Sequence, residues 1–186
     1  MPLTQLDPTA ALILIDLQKG VLTVPTVHPV GEILERSTRL ARQFREHGLP
    51  VVLVNVAGRA PGRTDAVVPA AALAPGWADL APGLEQPGDI IVTKHRHGAF
   101  IGTALAGMLR ERGVTQVFIA GIATSIGVEA TARSAYDHGY HVVLVVDAMT
   151  DRDAAAHRHS VEKVFPRIGE AATTAEVSAR LAALTR

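Results

Sequence analysis

The sequence has 186 residues, an ordinary length for one domain, and 48% of them are hydrophobic, so the chain can bury a sizeable core. Eighteen Lys and Arg residues balance eighteen Asp and Glu residues, and this neutrality gives no indication of binding to nucleic acid or to an anionic membrane. No apolar stretch approaches the ~20 residues of a membrane span, and the N-terminus lacks the features of a signal peptide. We therefore expect one cytoplasmic domain over residues 1–186.

Cysteine is absent from the sequence. This absence excludes disulfides, thiolate metal sites and a thiol nucleophile together. Any chemistry must therefore come from oxygen and nitrogen groups, from the backbone or from a bound ligand.

Short apolar runs that alternate with helical patterns predict the fold. The runs are mostly β-branched, as expected for parallel strands with both faces covered. They are Ala11–Ile15, Val51–Val56, Asp89–Thr93, Val117–Ile122 and Val142–Val146. The helical patterns cover Val30–Phe44, Leu105–Leu109, Val128–His138, Asp153–Val164 and Thr174–Leu184. This alternation predicts right-handed crossovers and an α/β fold, namely a three-layer αβα sandwich on a Rossmann-like parallel sheet of about six strands.

The segment Ala57–Gly88 interrupts this alternation. It holds five prolines and the only tryptophan, Trp77. A long proline-rich excursion inside a compact domain is typical of a lid or a binding loop. A loop that simply packs on the surface is an equally good interpretation.

Polar residues at the ends of the predicted strands are the first candidates for a site, because ligands of open parallel sheets bind beyond the carboxyl ends of the strands. Asp16, Asn55, Lys94 and Asp147 occupy such positions. Asp16 is the sharpest candidate, since a carboxylate directly after an apolar strand is costly to bury without a partner. Lys94, from a neighbouring strand, is the expected partner. The pair is either catalytic or a buried ion pair with a structural role.

The turn Gly121–Gly127 leaves the fourth predicted strand and begins a helix. Backbone N–H groups at a helix start attract anions and can stabilise a developing oxyanion. Thr124 or Ser125 could equally serve as an ordinary helix cap. The turn is therefore a candidate anion cradle, centred on Ile126 and Gly127.

Two further polar clusters have less specific interpretations. The basic run Lys94–His97 could hold a substrate carboxylate, although a solvated loop is the better interpretation of His95 and Arg96. Four Asp and His residues within Asp151–His159 are of metal-ligand types, but the two aspartates are better placed to cap the following helix. We expect neither a metal nor another cofactor.

In their order and spacing, several short motifs resemble those of the isochorismatase-like hydrolases of the cysteine-hydrolase superfamily. The motifs are Asp16-Leu17-Gln18, Lys94 with Gly98-Ala99-Phe100, Gly121-Ile122-Ala123-Thr124, Gly127-Val128 with Thr131-Ala132, Gly139-Tyr140 and Asp147-Ala148. The resemblance covers nearly the whole chain. It implies a homodimer or homotetramer and a cis peptide bond between Ile122 and Ala123.

Most members of that family cleave amide C–N bonds with an Asp–Lys–Cys triad. By resemblance, Asp16 and Lys94 match the first two members, and the cysteine position falls on Gly127, which excludes covalent thiol catalysis. True isochorismatases, which also carry glycine there, hydrolyse a vinyl ether with the aspartate as proton donor. The resemblance thus implies catalytic positions at Asp16, Lys94 and Gly127.

The expected function is that of a cysteine-independent hydrolase of a small anionic metabolite, with vinyl ether hydrolysis as the leading chemistry. The residues expected to bind substrate are Gln18, Asn55, Phe100, Ala123, Thr124 and Ile126. Desolvation raises a carboxyl pKa and a nearby lysine lowers it, so Asp16 is a proton donor if desolvation dominates and a base or electrostatic stabiliser if Lys94 dominates. The alternatives are a catalytically silent small-molecule-binding member of the family and a structural subunit.

Overall fold

The structure is a computed structural model that describes residues 3–65 and 73–184. Residues 66–72 belong to the proline-rich segment, and that part of the prediction for Ala57–Gly88 lies outside the described residues. Within the two described ranges, no helix is both long enough and apolar enough to cross a membrane.

Strands and helices alternate along the described chain. The strands are β1 (Ala10–Ile15), β2 (Val51–Val56), β3 (Ile90–Lys94), β4 (Gln116–Ile122), β5 (His141–Thr150) and β6 (Glu170–Ala172). The helices are α1 (Lys19–Leu22), α2 (Val30–Glu46), α3 (Leu105–Glu111), α4 (Glu129–Asp137), α5 (Ala154–His159) and α6 (Thr174–Ala182). A π-helical turn, Thr124–Val128, connects β4 to α4.

The six strands form one parallel sheet in the order β3-β2-β1-β4-β5-β6, which confirms the predicted fold class. The direction of strand addition reverses between β1 and β4, so their carboxyl ends flank the crevice where ligands of such sheets bind. The expectation that Lys94 lies on a strand next to β1 is wrong, because β2 pairs with both β1 and β3. The long side chain of Lys94 must therefore pass β2 to reach Asp16.

Alternating side chains of the strands build a separate core on each face of the sheet. On one face Ile13 packs with residues of α3 and α4, including Leu105 and Ala132. On the other face Leu12 packs with residues of α2 and α6. The apolar stripe of α2, buried at Ile33, Ser37, Leu40, Ala41 and Phe44, follows the helical period that the sequence predicts. These layers hold the carboxyl ends of β1 and β4 on a rigid base.

Two strands differ from the prediction, and both differences have a physical cause. β5 continues to Thr150, past the polar residue Asp147, with an irregularity in its pairing to β4. Asp147 therefore does not end a strand. Its Oδ1 atom instead accepts hydrogen bonds from the N and Oγ1 atoms of Thr174, at 2.7 and 2.8 Å, and so fixes the start of α6. β6 has only three residues, too few to produce a sequence pattern.

Candidate active site

Asp16 and Lys94 form a buried ion pair at the carboxyl edge of the sheet. The Nζ atom of Lys94 donates to Oδ2 of Asp16 at 2.8 Å, and the two side chains are only 2% and 9% exposed. Nζ also lies 3.3 Å from the carbonyl oxygen of Arg96. The other carboxyl oxygen of Asp16, Oδ1, is buried and has no hydrogen-bond partner among the described residues. One oxygen of Asp16 is therefore held by a cation, and the other is available to carry a proton.

The environment of Asp16 favours the neutral form of its carboxyl group more strongly than the environment of an exposed aspartate does. Burial raises the pKa of the Asp16 carboxyl from its usual 3.8 to about 6, against the opposing charge and hydrogen bond of Lys94. Desolvation is therefore the stronger of the two competing effects. A carboxyl group with such a pKa can donate a proton near neutral pH, and a group that titrates there in a cavity is a candidate acid or base.

The backbone at Asp16 has an unusual conformation, with φ at +53°. Aspartate tolerates the left-handed region better than most residues, but the conformation still costs of order 1 kcal/mol. The N–H of Asp16 donates to the carbonyl oxygen of Val54 at 2.8 Å, so the residue remains attached to the end of β2. The left-handed turn places the carboxyl group at the switch point between β1 and β4.

Gly127 packs directly against the end of β1. A Cβ atom added there would lie 2.9 Å from Cγ2 of Ile15 and 3.3 Å from Oδ2 of Asp16. The first distance is shorter than real Cβ atoms show, and Ile15 is a fully buried, β-branched residue with little freedom to move. The glycine thus allows the turn to lie against Asp16.

The turn that carries Gly127 is fixed by several hydrogen bonds. The Ile122–Ala123 peptide bond is cis, as the family resemblance implies. The N–H groups of Ile126 and Val128 both donate to the carbonyl oxygen of Ala123 at 3.1 Å. The Ile126 N–H is therefore already bonded inside the turn and is not free to bind an anion as predicted.

Asp16, Lys94 and Gly127 line a cavity of about 290 Å³ at this edge of the sheet. Its wall comes from the ends of β1 to β5 and from the loops that follow them. The other lining residues are Val21, Val24, Thr26, Val56, Gly58, Arg59, Trp77, Arg96, His97, Ile122, Ala123, Ile126 and Arg152. The lining therefore combines apolar side chains with several cationic ones.

The charges around the cavity are mostly positive. Among the described residues that line it, Asp16 is the only one with a carboxylate, and it is already paired with Lys94. Arg59, Arg96 and Arg152 also line the cavity, and none of them forms a salt bridge within residues 3–65 and 73–184. Unpaired guanidinium groups around a small cavity favour an anionic ligand, because guanidinium matches the geometry of carboxylates.

Of the six residues expected to bind substrate, Ala123 and Ile126 line the cavity and four do not. Gln18 bonds through both side-chain ends to the backbone of Val56, and Asn55 donates to the carbonyl oxygen of Ala78 at 2.8 Å. Phe100 is buried against the rings of His138 and Tyr140. Thr124 is also buried, and its hydroxyl group bonds to the ring of His157. These four residues support the walls and have no direct place in the cavity.

The prediction missed Arg59, Trp77 and Arg152, which line the cavity, and it treated Arg96 as part of a solvated loop. A fifth strand that ends before Asp147, as the sequence predicts, places Arg152 away from the carboxyl edge of the sheet. With β5 continued to Thr150, the rule about carboxyl ends would have selected Asp151 and Arg152. Arg59 and Trp77 lie in the proline-rich segment, which has no period from which a direction can be inferred. Asp153, in contrast, caps α5 as predicted, by accepting from the N–H groups of Ala155 and Ala156.

A family model described as the isochorismatase domain matches residues 10–176, and the match includes the cavity and all six strands. The chain belongs to the isochorismatase family. Members of this family are hydrolases, and the protein is a hydrolase of this type.

Individual isochorismatase relatives agree with this assignment. The chain is 37% identical to the isochorismatase family protein YwoC of Bacillus subtilis over 176 residues, covering 89% of this chain and 90% of that one. It is 28% identical to a maleamate amidohydrolase of Pseudomonas putida, covering 92% and 86% of the two chains. Among solved structures, an isochorismatase family protein from Burkholderia thailandensis is 42% identical with a TM-score of 0.91, covering 95% and 97% of the chains.

Proposed function

We propose that this protein hydrolyses a small anionic metabolite without a nucleophilic side chain, and that the bond it cleaves is a vinyl ether. The observation that carries the proposal is the state of Asp16. This carboxyl group lines the cavity, keeps one oxygen on Lys94 and has a pKa raised by burial to about 6. A thiol mechanism is excluded because the sequence has no cysteine.

Vinyl ether hydrolysis requires a proton donor, a stabilised cation and a water molecule. Neutral Asp16 would transfer its proton to the terminal carbon of the vinyl group, which produces an oxocarbenium ion. Water then adds to the cationic carbon, and the hemiketal releases an alcohol and a keto acid. The water supplies the proton that restores Asp16. The newly formed Asp16 carboxylate, next to the Lys94 ammonium, lies where it can stabilise the cation.

The cationic residues that line the cavity support an anionic substrate. Arg59, Arg96 and Arg152 offer guanidinium groups that form no salt bridge with the described residues, and the Gly127 N–H is the group that we assign to the anion cradle. Apolar lining residues such as Val24 and Trp77 would bind the carbon skeleton. A small carboxylate with a vinyl ether fits this combination of lining residues.

Amide hydrolysis is the reaction named for one relative, the maleamate amidohydrolase. The present chain has glycine at the position of the family's cysteine, and a Cβ there would meet Ile15 at 2.9 Å. We therefore expect no turnover of simple amides. A structural subunit without a ligand would be expected to fill its cavity, and the cavity of about 290 Å³ favours a ligand instead.

The test is to incubate the purified protein with isochorismate, maleamate and nicotinamide in separate reactions. We expect pyruvate from isochorismate and no ammonia from either amide. If none of these compounds, and no wider set of vinyl ethers and esters, is hydrolysed, the catalytic proposal is wrong. The catalytically silent binding protein would then be the better account.

A further inference from the structure

His157 lies directly behind the wall of the cavity without lining it. Its Nδ1 atom is 2.9 Å from Oγ1 of Thr124, which is the first residue of the π-helical turn. Thr124 is completely buried, whereas its neighbours Ala123, Ile126 and Gly127 all line the cavity. A movement of Thr124 would therefore displace this part of the wall.

The ring of His157 also contacts a second wall segment. His28 packs edge-to-face on it, with the ring centroids 4.8 Å apart, and Nδ1 of His28 is buried without a hydrogen-bond partner among the described residues. His28 ends the loop that contributes Val24 and Thr26 to the cavity. The pair of histidine rings thus lies between the loop before α2 and the turn after β4.

The end of β5 completes this arrangement. Oδ2 of Asp151 accepts from the Ser125 N–H at 2.7 Å, and the Asp151 carbonyl oxygen accepts from the Val27 N–H at 2.8 Å. The His28 N–H donates to Oγ1 of Thr150 at 3.0 Å. Three cavity-lining segments, carrying Thr26, Ala123 and Arg152, therefore meet around His157.

We propose that His157 is a positioning residue, which acts through Thr124 to hold the Thr124–Val128 turn in place for the substrate. This role differs from stabilising α5 itself, because Asp153 already caps that helix. Burial lowers the pKa of His157, the nearby His28 lowers it further, and Asp151 opposes both effects. The neutral ring therefore persists at neutral pH, where Nδ1 can share one hydrogen with the threonine hydroxyl.

The direct test is hydrogen exchange of the turn, measured by mass spectrometry at one pH. His157→Phe keeps a ring against His28 but removes Nδ1, and Thr124→Val removes the hydroxyl at nearly constant volume. We expect each variant to speed exchange at residues 124–128 by about tenfold, the effect of one ordinary hydrogen bond, with β1 unchanged. His159→Phe is the matched control, because His159 is exposed on the same helix.

Two further comparisons separate positioning from general stability. The double variant should exchange no faster than either single variant, because both remove the same bond. His157→Asn, whose amide group can replace Nδ1, should restore slow exchange in part. Unchanged exchange at 124–128, or an increase that is equally large in β1, would overturn the proposal.

An activity measurement extends this test and rests on the proposed function. With isochorismate, His157→Phe should lower kcat about tenfold without moving the pH at which the rate falls, because Asp16 itself is unaltered. A normal kcat despite faster exchange would show that the turn does not position the substrate. If the wild-type protein hydrolyses neither isochorismate nor any of the wider set of vinyl ethers and esters, the proposed function fails, and the exchange experiment still decides the role of His157.

Discussion

The Nζ atom of Lys94 reaches across β2 to donate to Oδ2 of Asp16 at 2.8 Å, while Oδ1 of the same carboxylate has no hydrogen-bond partner among the described residues. A lysine on this oxygen would normally keep aspartate ionised. Here burial outweighs the lysine and raises the pKa of Asp16 to about 6. The consequence is a carboxyl group that can hold a proton on Oδ1 while Oδ2 still accepts the hydrogen bond from Lys94.

This relationship predicts the pH dependence of the reaction. Because a proton donor must be protonated, kcat/KM for isochorismate should fall as the pH rises through about 6. Lys94→Met removes the charge that lowers the pKa of Asp16, so it should move this fall to higher pH. The measurement is a rate profile from about pH 5 to about pH 8. A rate that rises through the same range would indicate that Asp16 acts as a base.

The ion pair also predicts an asymmetry in stability. Asp16→Asn leaves the Lys94 ammonium buried without its partner and should lower the free energy of unfolding by about 3–5 kcal/mol. Lys94→Met should cost less, because Asp16 already accepts a proton readily. Lys19→Met is the control, since the Lys19–Asp79 pair is about half exposed and such pairs contribute at most ~1 kcal/mol. Urea unfolding at neutral pH measures all three, and equal losses in the two buried variants would contradict this asymmetry.

The close packing of Gly127 predicts the effect of adding a side chain there. Gly127→Ala and Gly127→Cys should each lower the free energy of unfolding by about 1–3 kcal/mol, because Cβ would overlap Ile15. Gly107→Ala is the control: Gly107 lies within α3 and no atom of the described residues is within 4 Å of its Cβ position, so alanine should stabilise that helix slightly. If Gly127→Ala is as stable as the wild type, steric packing does not explain the glycine.

Trp77 forms part of the cavity wall because Gly20 leaves space for its indole ring. A Cβ atom at position 20 would lie 2.0 Å from Nε1 of Trp77, so Gly20→Ala must displace the ring. We expect a red shift of the fluorescence of this single tryptophan and weaker substrate binding, measured as a higher KM for isochorismate. Gly31→Ala, where no atom within the described part of the chain lies within 4 Å of the Cβ position, should leave both properties unchanged. An unchanged spectrum in Gly20→Ala would contradict this contact.

The sequence predicts those parts of the molecule in which the apolar pattern locates a strand and the direction of that strand locates its carboxyl end. The five apolar runs became strands, and the rule about carboxyl ends led to Asp16 and Lys94 at the edge of one cavity. Family resemblance, and not the pattern alone, indicated Gly127. The assembly as a homodimer or homotetramer stays a prediction.

The parts that could not be predicted depend on where side chains point. Asn55 and Val56 are consecutive residues of β2, so their side chains leave the strand in opposite directions, and Val56 is the one that lines the cavity. Thr124 and Gly127 lie in the same π-helical turn, but their positions in it point in different directions. The side chain of Thr124 therefore contacts His157. An apolar pattern predicts where a strand or helix lies in the sequence. When both faces of that element are covered, the pattern does not predict which side chains point into the cavity.

The most direct measurement is pyruvate release from isochorismate by the wild type, by Asp16→Asn and by the double variant Asp16→Asn/Lys94→Met, which carries no unpaired buried charge. Circular dichroism establishes that each variant is folded. We predict that the wild type releases pyruvate and that both variants are slower by about 10²–10⁴-fold, the usual contribution of a general acid. A folded Asp16→Asn protein that hydrolyses isochorismate as fast as the wild type would contradict the central role of Asp16.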